Sequence, residues 1–135
     1  MKTTNNQIFA KGDKVSDNFI GTAYVKMLVA DSNNIFDTQV YNVTFEPGCR
    51  NNWHSHPGGQ LLLVTAGTGY YQEKGKPARL LRVGDVVEIK PDVVHWHGAT
   101  PNSEFTHIGI TSQVSKGDAV WLDSVSDEEY NKLPK

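Results

Sequence analysis

Two His-x-His pairs, His54/His56 and His95/His97, sit within β-rich sequence. In a strand, residues i and i+2 project to the same side, whereas on a helix they diverge by about 200°. The extended context therefore makes each pair a same-face pair. All five histidines of the chain fall between residues 54 and 107, the fifth being His107, and Gln60 follows the first pair by four residues. Histidine is the commonest metal-ligating side chain. This clustering points to a mononuclear metal site inside a small barrel, with two histidines left over for chemistry.

The rest of the chain reads as short strands between Gly, Pro and Asx turns. Ala23, Val25, Met27 and Val29 alternate with Thr22, Tyr24, Lys26 and Leu28, and Asp31-Ser32-Asn33-Asn34 forms a turn cluster. Residues 39–45 predict a second strand with Tyr41, Val43 and Phe45 on one face, closed by Glu46-Pro47-Gly48. Residues 60–65 form the most apolar strand, and Gly67-Thr68-Gly69 breaks it. A hairpin is expected from 69–73 and 78–82 across Lys74-Gly75-Lys76-Pro77, followed by strands at 86–89, 93–98 and 105–111. Only the C-terminus carries a helix signal: Ser126 and Glu129 have capping-box spacing, with Asp127 and Glu128 suited to the positive end of the helix dipole. Residues 1–20 show no clear period and read as an arm, 21–115 as the barrel and 116–135 as a tail with a short helix. Many short strands with Gly/Pro turns indicate a sandwich or barrel.

A chain of 135 residues fits one domain and needs no disulfide to fold, and its one cysteine, Cys49, excludes an internal one. The net charge is −2 with both signs interleaved, so nucleic acid is not an expected partner. The polar stretch 1–15 lacks a signal-peptide core, and the longest apolar run, 61–64, is too short to span a bilayer. The expectation is a cytoplasmic protein without membrane contact.

Gln60 shares the parity of His54 and His56, although Pro57-Gly58-Gly59 can reset the register. His107 shares a face with Phe105 and Gly109. Trp53 and Trp96 adjoin the ligand candidates, but parity turns them away, towards packing between layers. Cys49 reads as a small semi-buried residue, and no Cys-x-x-Cys suggests structural zinc.

Gly48-x5-His54-x-His56-x3-Gln60-x6-Gly67 resembles the first cupin motif, and Gly84-x6-Pro91-x3-His95 the second, with 16 residues between them. The resemblance implies an all-β cupin-type double-stranded β-helix, a jelly-roll barrel, with the short helix at its C-terminus. In cupins two histidines and a carboxylate of the first motif and one histidine of the second bind a divalent metal. Here Gln60 occupies the carboxylate position, and Asp92-Val93 replaces the usual glycine after Pro91, which should alter only the turn. The stretches Val43–Gly48, Trp53–Pro57, Gly59-Gln60, Val64–Gly67, Gly84–Val87, His95–Ala99 and Thr106-His107 are similar to small single-domain bacterial cupins that include manganese-dependent hydroxynitrile lyases. That likeness implies His54, His56, Gln60 and His95 as metal ligands, and His97 and His107 as catalytic histidines outside the ligand set.

A neutral ligand set leaves the full +2 charge on the ion, which strengthens its Lewis acidity. Imidazole and amide oxygen suit manganese, iron, nickel, cobalt or zinc, with availability deciding among them, and the likeness to the manganese-dependent lyases implies manganese. The expected function is a metal-dependent lyase acting on a small molecule, with C–C bond cleavage or formation and a histidine as proton shuttle. An iron dioxygenase and a non-catalytic ligand-binding cupin are the alternatives. If Gln60 faces the metal, Leu61, Leu63 and Thr65 face outward, and a homodimer or larger assembly would cover them.

Overall fold

The computed structural model describes residues 8–134. In chain order, the strands are β1 (Asp13–Val15), β2 (Phe19–Ile20), β3 (Ala23–Val29), β4 (Thr38–Phe45), β5 (Arg50–Asn51), β6 (His54–Ser55), β7 (Gln60–Gly67), β8 (Gly69–Glu73), β9 (Arg79–Leu81), β10 (Val86–Ile89), β11 (His95–Ala99), β12 (Phe105–Ser112) and β13 (Val120–Trp121). Helix α1 (Asp127–Asn131) follows. The long strands lie where the two-residue period places them.

Two antiparallel sheets curl into a jelly-roll barrel. One runs β1-β3-β4-β12-β7-β10, and the other joins β13, β6, β11, β5 and β2, with β8 on β11 carrying β9. The expected hairpin forms, with Gly69 opposite Leu81 and Tyr71 opposite Arg79. Inside, Phe45, Leu62, Val64, Leu81, Val87 and Phe105 form a closed apolar core. Alternation drives this: Leu62 and Val64 are buried while Leu61, on the outer face, is 36% exposed. A register shift between Thr106 and His107 against β7 sets His107 opposite Val64.

The stretch expected to be an arm without period contains β1, which pairs with β3, and β2, which pairs with β5. Strands of two or three residues are too short to show a period. The tail covers the outside of the second sheet. Trp96 and Trp53 pack there with Tyr70, Val125 and Tyr130, as their parity required. Arg50 fastens the tail: its guanidinium donates to the Val125 carbonyl at 3.1 and 2.8 Å and stacks 4.4 Å from the Tyr130 ring centroid. The capping box at Ser126 and Glu129 is formed in both directions. No helix among the described residues is long and apolar enough to cross a membrane.

Candidate metal centre and active-site cavity

All five histidines converge inside the barrel, and each is at least nine-tenths buried. Strand β6 carries His54, β11 carries His95 and His97, and β12 carries His107. His56 lies just beyond β6, and its carbonyl accepts from the Gly59 amide at 3.1 Å and the Asp92 amide at 3.0 Å. This clasp joins the two motif segments. Asp92, where the resemblance led us to expect a glycine, keeps a left-handed φ of 68°. Aspartate tolerates that conformation better than most residues, so the turn is preserved.

One potential ligand atom from each of His54, His95 and His97 lies within 4.8 Å of the others, a cluster that can hold a metal ion. His56 stands 5.2 Å from His54 and 6.0 Å from His95, ring centre to ring centre. Gln60 points inward, with Oε1 3.2 Å from His95 Nε2. The structure thus gathers all six residues singled out in the sequence. The triad with the closest ligand atoms includes His97, which the resemblance assigned to catalysis.

The donor set fits a cation. His54 Nδ1 lies 2.8 Å from the Asn52 carbonyl and His95 Nδ1 lies 2.9 Å from the Val93 carbonyl. Those carbonyls hold the proton on Nδ1 and leave the Nε2 lone pairs for a metal. At His95 that lone pair faces another acceptor, Gln60 Oε1, at 3.2 Å. A neutral imidazole has one proton and cannot satisfy both carbonyl oxygens. A cation between Nε2 and Oε1 removes the conflict. His56 Nε2 is also buried with no hydrogen-bond partner among the described residues. A buried polar atom in that state calls for an explanation such as an ion.

Protonation does not supply the missing charge. Burial pushes His56, His95 and His107 down to about 4. Burial and the neighbouring imidazoles hold His54 and His97 well below the ordinary histidine value. All five are neutral at pH 7, as ligation requires. Cys49 is buried, and its thiol is raised to about 12, chiefly by burial, so it offers no thiolate.

A cavity of about 290 Å³ opens beside the cluster. Phe19, Val25, Met27 and Val43 give it an apolar wall, while His54, His56, His97 and His107 reach it from within. His107 has no hydrogen-bond partner on either ring nitrogen among the described residues, and its ring centre is 4.8 Å from that of His97.

Three residues of this site escaped the sequence reading. Asn51 accepts from the His97 backbone amide at 2.9 Å, and its Nδ2 lies 3.2 Å from the His97 ring. Trp121 lies over His54 at 4.5 Å with an interplanar angle of 30°, 40% exposed at the cavity mouth. Tyr41 binds the Gln60 amide. None has a spacing signal, because each is delivered by tertiary pairing. Trp121, for example, arrives by pairing with His54 across β13 and β6.

Comparison with known proteins identifies the family and the fold. Residues 41–111 match the cupin domain family. A 91-residue stretch is 44% identical to the (R)-mandelonitrile lyase of Granulicella tundricola, covering 67% of this chain and 70% of that protein. The crystal structure of a cupin-like protein from Thermotoga maritima superposes with a TM-score of 0.92 at 62% identity, covering 94% of this chain and 96% of that one. A cupin-2 domain from Rhodospirillum rubrum superposes at 0.70 with 12% identity over 97% of this chain and 87% of that one, a likeness of fold alone. Paired motifs, barrel and inward histidines all lead to one placement: this chain belongs to the cupin family.

Proposed function

We propose that this protein is a metal-dependent lyase that cleaves and forms the C–C bond of a hydroxynitrile, with His54, His56, Gln60 and His95 as metal ligands. The observation that carries this reading is the His97–His107 pair, two neutral imidazoles on an apolar cavity, with His97 at the edge of the metal-competent cluster and His107 outside it. The (R)-mandelonitrile lyase relative supports the substrate class. Asn51 engages the His97 ring, which favours His56 and Gln60 over His97 to complete the ligand set. Manganese is the proposed ion, and the same ligands suit iron, nickel, cobalt or zinc.

A bound divalent ion would supply Lewis acidity to the substrate oxygen without changing redox state. The protein's own residues handle the proton. His107 keeps a lone pair with no competing partner and accepts the hydroxyl proton there. The C–C bond to the nitrile carbon then breaks, its electron pair leaves with cyanide, and the carbonyl of an aldehyde forms. The imidazolium returns the same proton to cyanide, giving hydrogen cyanide and a neutral His107. His97, anchored through Asn51, orients the nitrile end. The apolar wall takes the organic substituent and excludes water.

The test is to incubate the Mn²⁺-loaded protein with mandelonitrile and follow benzaldehyde release, with the metal-free protein as control. Metal-dependent release that persists without O₂, and with redox-inert Zn²⁺, is expected. Activity only with Fe²⁺ and O₂ would replace the lyase by an oxygenase. Metal-loaded protein that binds aldehyde without turnover would make it a binding protein. A cytoplasmic homodimer completes the proposal: Leu61 and Val86, 36% and 52% exposed, leave apolar surface on the outer face for a second copy.

A further inference from the structure

An amide side chain can turn either its oxygen or its nitrogen towards a metal, and only the oxygen is a ligand. Something must choose between the two for Gln60. Tyr41 lies opposite Gly109 across β4 and β12. A Cβ on Gly109 would come within 2.1 Å of Tyr41 Cε2, so the missing side chain is what admits the ring. The phenol oxygen then falls 2.7 Å from Gln60 Nε2 and 2.6 Å from Thr111 Oγ1.

The phenol has one proton to give. When Thr111 Oγ1 accepts it, Tyr41 Oη can only accept from Gln60, which places Nε2–H on Tyr41 and Oε1 towards His95. Were the proton aimed at Gln60 instead, the amide would turn over and offer N–H to His95 Nε2. That arrangement satisfies every hydrogen bond but provides no amide oxygen to an ion.

We infer that Tyr41, with its proton drawn to Thr111, is the positioning residue that holds Gln60 oxygen-first for the metal. This rests on the reading of Gln60 as a ligand. Partners of this kind typically change metal affinity by about 10- to 100-fold.

The test is Mn²⁺ titrated into the metal-free full-length protein, with free Mn²⁺ followed by its electron paramagnetic resonance signal. Tyr41→Phe should weaken binding by about 10- to 100-fold. Thr111→Val keeps the phenol but removes its acceptor, and should weaken binding in the same direction. In a Gln60→Ala background there is no amide to orient, so adding Tyr41→Phe should change nothing further. Wild-type affinity in both Tyr41→Phe and Thr111→Val would overturn the inference. So would an equal loss from Tyr41→Phe with and without Gln60, which would mean Tyr41 acts only on the fold. If Gln60→Ala alone binds Mn²⁺ like the wild type, the ligand assignment of Gln60 fails, and this inference falls with it.

Discussion

At His107 two buried nitrogens lack any partner among the described residues, while two positions before His97, His95 has more acceptors than protons. These are opposite states, and they separate the proposed roles. A residue with lone pairs opposed to other acceptors gains from a cation. One that lines the cavity with no hydrogen bond formed at either ring nitrogen can exchange a proton with a guest. His107→Ala and His97→Ala should therefore leave Mn²⁺ stoichiometry at its wild-type value, while lyase activity falls by roughly 10²–10⁴-fold, the usual cost of losing a general acid or base. Metal analysis and initial rates on the same preparations check this. Loss of the ion from His97→Ala, with the ion kept by His95→Ala, would exchange the two assignments, an outcome made concrete by the close packing of His54, His95 and His97. That His54, His56, Gln60, His95 and His97 come together was legible because histidines at i and i+2 share a face and because the motif spacing is specific, whereas His107 was reached through the family likeness alone. Asn51, Trp121 and Tyr41 were not, since an asparagine or aromatic in a strand has no pattern until its neighbour across the sheet is known.

Among the elements, the C-terminal tail links stability to the site. It seals Trp53 and Trp96 on the outside of the second sheet, then α1 caps the assembly through Tyr130, whose hydroxyl donates to the Ala99 carbonyl at 2.6 Å. The same tail lays β13 beside β6 and so sets Trp121 over His54. Arg50 is the fastening between barrel and tail. Its partner Asp127 is 82% exposed on its side chain, so that ion pair contributes little. The two hydrogen bonds to the Val125 carbonyl matter more, because Val125 is 1% exposed and its carbonyl would lose its partner. Arg50→Ala should cost about 2–4 kcal/mol, measured by urea denaturation. It should also raise KM more than it lowers kcat, because the loosened tail carries the mouth residue Trp121 and not the reacting groups. Unchanged stability would show that the tail is held by its apolar contacts alone. The helix was legible from Ser126 and Glu129, which need only local spacing. Strands β1, β2, β5, β6 and β13 had no such advantage at two or three residues each, since pairing rather than propensity makes them strands.

For the molecule as a whole, gathering five neutral histidines into one barrel links folding to pH. His56, His95 and His107 fall to about 4 in the folded protein, from an ordinary value of 6.5, with burial the leading cause, and His54 and His97 are depressed as well. In the unfolded chain these groups titrate near 6.5. Between about 6.5 and 4 the unfolded state therefore binds more protons than the folded one, and stability rises with pH across that window. The stabilisation is complete above the unfolded value and is lost as pH falls through the folded one. A single shift of this size corresponds to roughly 3 kcal/mol, and because neighbouring imidazoles titrate together the contributions do not simply add. The metal-free protein should hold a constant melting temperature from pH 8 to 7, then lose stability steadily as pH falls from about 6.5, above the range where carboxylates begin to protonate. His107→Leu, which removes one buried imidazole packed against Phe45 and Phe105, should flatten that slope. Mn²⁺ at a saturating concentration should carry the plateau to lower pH, because it binds the folded state through deprotonated ligands. Calorimetry across this range decides the matter. A melting temperature flat down to pH 5 without metal would mean the histidines are not held neutral by the fold, and the balance drawn here between buried imidazoles and a bound cation would fail.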